Sequence, residues 1–299
     1  MAVRDFFQNY LYGNPKKGDF TEADLPENRI QLFKQVLSTR KGKMIGVNLL
    51  YLVTWLPAIA WTLINVMQIN RAYYLTPDVF WPALPQILFS WLLLLFPLTA
   101  VTGPFNVGVS YIFHRWAQDT NSFVFSDFRA SIRQNWKQGL LFSTLDGLVP
   151  PLAYTVCYFY LRLAGQSIFA VIPIMLTLFV ALIWSLAAPL VPLLIVSYEQ
   201  KFGQILRNAI LMTLANLPRS IAMRLGTLVL PIVLVFALFF SPDSINWMIS
   251  VTFLLYAVFM LSLNKLIWAS YSNMLGEKYL NAHIEGAQTD IGLRPKRED

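Results

Sequence analysis

Charge is scarce in this sequence of 299 residues. Only 13% of the residues are Asp, Glu, Lys or Arg, 56% are hydrophobic, and the mean hydropathy is +0.52. Soluble domains carry about 25% charged residues, so the composition excludes an ordinary soluble protein and predicts a polytopic membrane protein. The formal net charge of +7 could indicate nucleic acid, but the cations are distributed as membrane topology requires. We therefore expect no nucleic-acid partner.

Cysteine and histidine are almost absent as well. Cys157 is the only cysteine, which excludes an intramolecular disulfide. The two histidines, His114 and His283, form no Cys/His cluster that would bind a metal. No serine lies in a G-x-S-x-G elbow, and no second carboxylate lies beside Asp146 within the hydrophobic segments. We expect no catalytic residue, metal site or cofactor, and a membrane enzyme is the least favoured function.

Long hydrophobic runs dominate the remainder, and a bilayer is crossed by about 20 apolar residues. They predict an all-α polytopic fold with six transmembrane helices and short amphipathic interfacial helices. The six spans are expected at about residues 44–69, 84–116, 140–162, 168–198, 225–240 and 245–271. The domains are then an N-terminal region (1–43), a transmembrane domain (44–275) with excursions at 117–139 and 199–224, and a polar tail (276–299) expected to be disordered.

The placement of lysine and arginine predicts the orientation of these spans. Of the 23 Lys and Arg residues, 20 fall in the N-terminal region, the two excursions and the tail when Arg115, at the end of the second span, is counted with the first excursion. Only Arg71 and Arg162 fall in the connections on the opposite side, and Lys265 lies within the last span. Both termini are therefore expected in the cytosol.

The first excursion carries a helical pattern with two faces. Ser126 is suited to cap a helix with Asp127 in its first turn. An apolar and a cationic stripe then recur every four residues: Phe128, Ile132 and Trp136; Arg129, Arg133 and Lys137. We interpret this as a short helix that lies in the interface before the chain re-enters the membrane. Its cations either contact lipid headgroups or form a docking surface for a partner.

The N-terminal region contains a second amphipathic pattern. Ile30, Phe33, Val36 and Leu37 share one face of a predicted helix, which we interpret as an interfacial anchor before the first span. Asn48 and Asn65, within that span, are expected to hydrogen-bond to another helix rather than to contact a ligand.

Proline and glycine mark points where spans should bend or break. The marked positions are Pro97, Gly103, Pro104, Pro150, Pro151, Pro189 and Pro192. Spans 2–3 and 4–5 share a pattern of a long proline-marked helix, a cationic helix and a shorter span, which suggests an internal repeat.

Two ionisable residues lie inside predicted spans, where a charge is costly and is by default a functional candidate. Asp146 and Lys265 are each expected roughly 9 Å inside the cytosolic boundary, a depth that permits an ion pair. Alternatively, Lys265 extends its stem to the headgroups, and Asp146 is a structural carboxylate with a hydrogen-bond partner. A role for Asp146 in transport is the third interpretation.

Four segments carry a resemblance to a known family: FFQNYLYGNPKKG, NLLYLVTWLP, TGPFNVGVSYIFHRW and SDFRASIRQNWKQG. Together they resemble the YesL family of bacterial membrane proteins. The family's typical features are matched here by Gly103-Pro104, Phe125-Ser126-Asp127-Phe128 and Asn135-Trp136-Lys137-Gln138. The resemblance implies a bacterial plasma-membrane protein associated with carbohydrate ABC import systems. The implied partners are permease and ATPase subunits, and no catalytic residue is carried over.

The second excursion is similar in part to the helix that ABC permeases present to their ATPase. Glu199 precedes Leu217-Pro218 at the spacing of that motif, but Gln200-Lys201 and Ile205 replace its Ala-Ala pair and glycine. Chance similarity in a leucine-rich segment explains this spacing equally well.

The sequence therefore favours a non-catalytic membrane subunit that is an accessory or regulatory partner of a carbohydrate ABC importer. The alternative is a self-contained transporter or channel for a small solute, which would use the proline-broken helices and Asp146.

Overall fold

The structure, a computed structural model, describes residues 25–75, 77–165, 167–240 and 245–295, and every regular element among these residues is helical. The α-helices are α1 (Arg29–Thr39), α2 (Lys41–Leu75), α3 (Pro77–Val101), α4 (Gly103–Trp116), α5 (Val124–Ala164), α6 (Val171–Ala187), α7 (Val191–Ser197), α8 (Phe202–Ala215), α9 (Leu217–Thr227), α10 (Val229–Phe240), α11 (Ile245–Leu255) and α12 (Leu261–Tyr279). Short 3₁₀ turns occupy Ile168–Ala170, Ala188–Leu190 and Asn281–His283, and a π-helix at Tyr256–Met260 joins α11 to α12.

The helices have the lengths and compositions of a multi-pass membrane protein. Within the described residues, five helical segments are long and apolar enough to cross a bilayer: Lys41–Tyr73, Asp78–Val101, Val124–Ala164, Ile168–Ser197 and Trp247–His283. This confirms the all-α class and a membrane-embedded protein.

The region of the predicted fifth span is not among these five segments. Residues 225–240 are divided between the end of α9 and the 12-residue α10, with a break at Leu228. At 1.5 Å per residue α10 is about 18 Å long, which is shorter than the hydrocarbon core of about 30 Å.

The sequence predicts that the cationic helix of the first excursion is short and separate, and this prediction is wrong. It is the first part of α5, which runs without interruption for 41 residues, or about 62 Å. Because a bilayer core is about 30 Å thick, α5 combines a crossing with an extension beyond it. Asp127 begins the helix by accepting the Phe123 backbone N–H, 2.9 Å away, whereas Ser126 lies inside the helix rather than at its cap.

Helices α3 and α4 together form the antiparallel partner of α5. They are separated by a break at Thr102, after which Pro104 occupies the first turn of α4, where a missing N–H costs nothing. Glycines at the crossing allow the backbones to approach closely: a Cβ at Gly103 would lie 2.2 Å from the carbonyl oxygen of Gly139. Such contacts between small residues are typical of helix packing in membranes.

The marked prolines divide into two groups. Pro104, Pro189 and Pro192 coincide with helix ends: Pro189 lies in the 3₁₀ turn between α6 and α7, and Pro192 in the first turn of α7. The other three prolines, Pro97, Pro150 and Pro151, lie inside α3 or α5 and do not end them. Those positions are therefore not the breaks that we predicted.

The hydrophobic core lies where α4, α7 and α12 meet. Phe113 and Trp116 of α4, Leu193 of α7, and Leu266 and Leu275 of α12 are almost completely buried. Because α4 and α7 each follow a break in a long apolar helix, the two broken helices place their short second halves at the centre of the protein.

The N-terminal helix packs against this core. In α1, Leu32 and Val36 are buried, Phe33 and Leu37 are partly buried, and Ile30 is 67% exposed. Arg40, which follows α1, pairs with Asp119 at 3.0 Å. The prediction of an interfacial anchor is therefore wrong for α1, because its buried face contacts this chain rather than lipid.

Residues 276–295 of the polar tail contact other parts of the chain, which corrects our expectation of a disordered segment. Arg29 of α1 pairs with Glu277 at the end of α12 and also donates to the Ile291 carbonyl at 3.2 Å. The Arg294 backbone N–H donates to the Pro26 carbonyl at 2.9 Å. Burial raises the pKa of Tyr198 to about 12, so its phenol stays protonated and donates to Asn281 at 2.8 Å.

Candidate functional site: an intramembrane cavity

A cavity of about 460 Å³ lies between the helices. Helices α2, α4, α5, α6, α7, α9 and α12 all contribute to its walls, together with the 3₁₀ turn before α7 and the π-helix. Its volume lies within the range of small-molecule sites, about 300–1,000 Å³. Its charged lining residues are Asp146, Arg224 and Lys265.

Asp146 lies on the α5 wall of the cavity. Its Oδ1 accepts a hydrogen bond from the indole Nε1 of Trp184 in α6, at 2.8 Å. This bond fixes one carboxylate oxygen, and the side chain remains part of the cavity lining.

Lys265 enters the cavity from α12. Its ammonium donates to Asn106 Oδ1 and, at 3.3 Å, to Ser110 Oγ, both in α4. It also lies 5.6 Å from the centre of the Tyr51 ring in α2, within the range of a cation–π contact. The interpretation in which Lys265 extends to the headgroups is wrong, because its Nζ is directed to side chains of this chain.

Asp146 and Lys265 face the same cavity but do not form an ion pair. The ion pairs among the described residues involve other side chains, and each of these two groups has a different neutral partner. The two helices therefore bring both residues to one cavity, but the direct pairing is absent.

Arg224 is the charged residue of the site that sequence reasoning missed. We had assigned it to a cytosolic excursion, but it lies in α9 and lines the cavity. Its Nε is buried without a hydrogen-bond partner. A sequence signal was present, because Ser220 and Thr227, which are both buried, lie four residues before and three after Arg224. That spacing places all three on one helical face, which marks a polar stripe directed inward.

Aromatic rings and prolines complete the walls. Pro150, Pro189 and Pro192, three of the seven marked helix-break positions, line the cavity, whereas Pro97, Gly103, Pro104 and Pro151 do not. The aromatic lining residues are Tyr51, Trp55, Phe142, Trp184, Tyr256 and Trp268. Several flat apolar surfaces therefore surround a few charged groups, which is the usual composition of a small-molecule site.

The two stripes of the first excursion have different surroundings. The apolar stripe is largely covered by this chain, because Phe128 is buried and a Cβ at Gly108 of α4 would contact Phe128 and Ile132. Trp136, its third member, is 45% exposed. The cationic stripe of Arg129, Arg133 and Lys137 is exposed along its whole length.

His114 and the second excursion add no further reactive group. His114 packs between helices, with Nδ1 3.1 Å from Ser197 Oγ. Glu199 precedes α8, whereas Leu217-Pro218 begin α9, so this motif-like spacing spans one helix and the start of the next. No group of three or more His, Cys, Asp or Glu that could bind a metal occurs within the described part of the chain.

Comparison of the chain with protein-family models, curated proteins and solved structures finds no match.

Proposed function

We propose that this chain is a non-catalytic, multi-pass subunit of the bacterial plasma membrane that docks onto the permease of a carbohydrate ABC importer. The observation that carries the proposal is the exposed cationic stripe on the extension of α5. The identity of the importer comes from the resemblance to the YesL family and is part of the proposal.

The proposed topology has six crossings and both termini in the cytosol. The contacts of Arg29 with Glu277 and of Arg294 with Pro26 support it, because ends that touch lie on one side and require an even number of crossings. Five candidate spans would place them on opposite sides, so a further crossing is needed. The crossing would be made by residues 225–240, in which the end of α9 adds length to the 12-residue α10, whose sequence VLPIVLVFALFF contains no polar residue.

The docking surface combines charge with exposed aromatic rings. Arg129, Arg133 and Lys137 are exposed, and Phe125 and Trp136 beside them are 76% and 45% exposed. A groove along Arg129 and Arg133 is closed on one side by Leu50 of α2. Arginine and aromatic residues are enriched at protein interfaces, and a positive stripe selects a partner with an acidic face. The proposed partner surface is therefore an acidic cytosolic segment of the permease.

Reversing the cationic stripe tests the docking. In the triple variant Arg129→Glu, Arg133→Glu and Lys137→Glu, we expect recovery of the permease with this protein from gently solubilised native membranes to fall at least about tenfold. The reason is that like charges across an interface cost several kcal/mol. Quantitative mass spectrometry of the affinity-purified complex measures the loss, and protease accessibility of the termini measures insertion.

The matched control reverses three exposed cations on other elements, Lys34, Arg207 and Lys278, with the same change in net charge. It should insert normally and retain the permease. Undiminished permease recovery with the stripe variant contradicts docking through this face. Failed insertion of the stripe variant alone would instead assign these cations to lipid headgroups.

A self-contained transporter is the second candidate function. The observation that favours it is the cavity at the broken helices α6–α7, which brings Asp146, Lys265 and Arg224 together inside the membrane domain. Transporters often place their substrate sites at discontinuous helices.

A further inference from the structure

The charges of the cavity do not balance. Arg224 and Lys265 contribute two formal positive charges and Asp146 one negative charge, and these are the charged residues of the lining. Asp146 is exposed, whereas Arg224 and Lys265 are only partly exposed, and a charge that is partly withdrawn from water is costly unless it is paired. The cavity therefore has an excess of one positive charge that an occupant carrying one negative charge would neutralise.

The three charged groups differ in how far this chain already satisfies them. Lys265 donates to Asn106 and Ser110, and Asp146 accepts from Trp184. Among the residues that the structure describes, none forms a hydrogen bond or ion pair with the Arg224 guanidinium, and its Nε is buried without a partner. A guanidinium presents its N–H donors as a planar fork that matches the two oxygens of a carboxylate. Arg224 is therefore the group that is free to bind the negative end of an occupant.

The rest of the wall suits a body that has both apolar faces and hydroxyl groups. Trp55, Trp184 and Trp268 offer flat apolar surfaces, against which a small aliphatic ring can pack. The second oxygen of Asp146 can accept from a hydroxyl. Asn264, which also lines the cavity and donates to the Thr227 carbonyl at 3.3 Å, keeps an amide oxygen that can accept as well.

We infer that this intramembrane cavity binds a small hydroxylated carboxylate about the size of a six-carbon sugar acid, with its carboxylate on Arg224 and a hydroxyl on Asp146. A phosphate ester, which carries about two negative charges, would exceed the single positive excess of the lining. A cationic solute would be repelled by Arg224 and Lys265. The inference does not depend on docking, and it adds a substrate class to the transporter candidate.

Calorimetric titration of the full-length protein in nanodiscs tests this binding. The probe is D-glucuronate, and D-glucose is the matched neutral ring. We expect saturable binding of D-glucuronate, and binding of D-glucose weaker by at least about tenfold, or ~1.4 kcal/mol. Arg224→Gln should weaken D-glucuronate binding by a similar factor, and Arg224→Lys by less, because it keeps the charge but loses the fork. Circular dichroism and size-exclusion profiles confirm that the variants are folded.

Two further variants make the test specific. Arg219→Gln, an exposed position on the same helix, should bind as the unchanged protein does. Asp146→Asn should weaken D-glucuronate binding by less than Arg224→Gln does, because it exchanges the oxygen that accepts the hydroxyl for an amide N–H while leaving the guanidinium that binds the carboxylate in place. Equal binding of glucose and glucuronate, unchanged affinity in Arg224→Gln, or no binding of glucuronate up to about 10 mM overturns the inference. A stripe variant that loses the permease but binds the probe normally separates this site from docking.

Discussion

Gly103→Val is expected to separate α4 from α5 and to lower the stability of the whole membrane domain. Adding even a Cβ at residue 103 places it 2.2 Å from the Gly139 carbonyl oxygen and 2.8 Å from Ser143 Oγ. The first of these is a backbone atom of a continuous helix, so it cannot move aside as a flexible side chain would. Overpacking of this kind costs about 1–3 kcal/mol or more, and a branched residue against backbone should reach the upper end.

The measurement is thermal unfolding of the purified protein in detergent. A loss of about 3 kcal/mol corresponds to a fall in Tm of roughly 6–12 °C for a domain of this size. Gly46→Val is the matched control, because Gly46 is also helical, in α2, and a Cβ there has no neighbour within 4 Å. Equal Tm values for the two variants would mean that α4 and α5 do not pack through Gly103 and Gly139.

The Gly103 contact also shows that a helix break can be predicted from the sequence, whereas the packing partner of the break cannot. The pair Gly103-Pro104 marks a break by itself, because proline cannot continue a hydrogen-bonded helix. The partner of Gly103 is 36 positions away, and nothing local to Gly139 identifies it. The same limit applies to α5. Residues 118–122 indicate a linker correctly. The first half of α5 is polar and its second half is apolar, so hydropathy predicts two separate elements where the structure has one continuous helix.

The cavity shows which residues of a membrane site can be identified from the sequence alone. Asp146 and Lys265 were identified because a charge in a hydrophobic run is conspicuous, and the structure brings both to one cavity. Their partners were not predictable, since Trp184 and Asn106 are ordinary residues until the helices are placed. Arg224 was missed because it lies among other polar residues, where a cation is expected at the surface.

The polar composition of the tail does not predict the contacts that it makes with the rest of the chain. The polar composition of the tail indicated disorder, yet the tail is held by Arg29, by the Pro26 carbonyl and by burial of Leu293 against the core. Composition describes what a segment can bury by itself, whereas this tail is ordered by a surface that another part of the chain provides. The same contacts bring residues 26 and 29 close to residues 277, 291 and 294.

Asn48→Leu is expected to destabilise the junction between α2 and the π-helix. A π-helix leaves some backbone groups without their usual partners, and the Asn48 side chain binds three of them. Its Nδ2 donates to the Tyr256 and Ala257 carbonyls at 2.9 and 2.7 Å, and its Oδ1 accepts from the Ser262 N–H at 2.9 Å. Each orphaned buried group costs about 1–3 kcal/mol, so the total loss should be about 3 kcal/mol or more.

Asn65→Leu is the control that distinguishes this role from the general cost of losing a buried amide. Asn65 is also buried in α2, but it donates back to the Trp61 carbonyl of its own helix at 2.8 Å, a group that the helix already satisfies. Its loss should stay below about 1 kcal/mol. Asn48→Asp should lose at least as much as Asn48→Leu, because it keeps the acceptor for Ser262 but sets its second oxygen against the Tyr256 and Ala257 carbonyl oxygens. Equal Tm values for Asn48→Leu and Asn65→Leu would remove Asn48 as the support of the π-helix.

The consequence of Asn48→Leu extends to the cavity, because Tyr256 is both an Asn48 partner and a lining residue. If the π-helix reverts to regular α-helical bonding, each later residue turns by about 100°, and Tyr256 and Lys265 no longer face the cavity in their present relation. We therefore expect Asn48→Leu to weaken D-glucuronate binding as well as to lower Tm. Unchanged affinity in a folded Asn48→Leu protein would mean that the π-helix contributes to packing alone. A loss of both D-glucuronate affinity and Tm would connect the π-helix to the cavity.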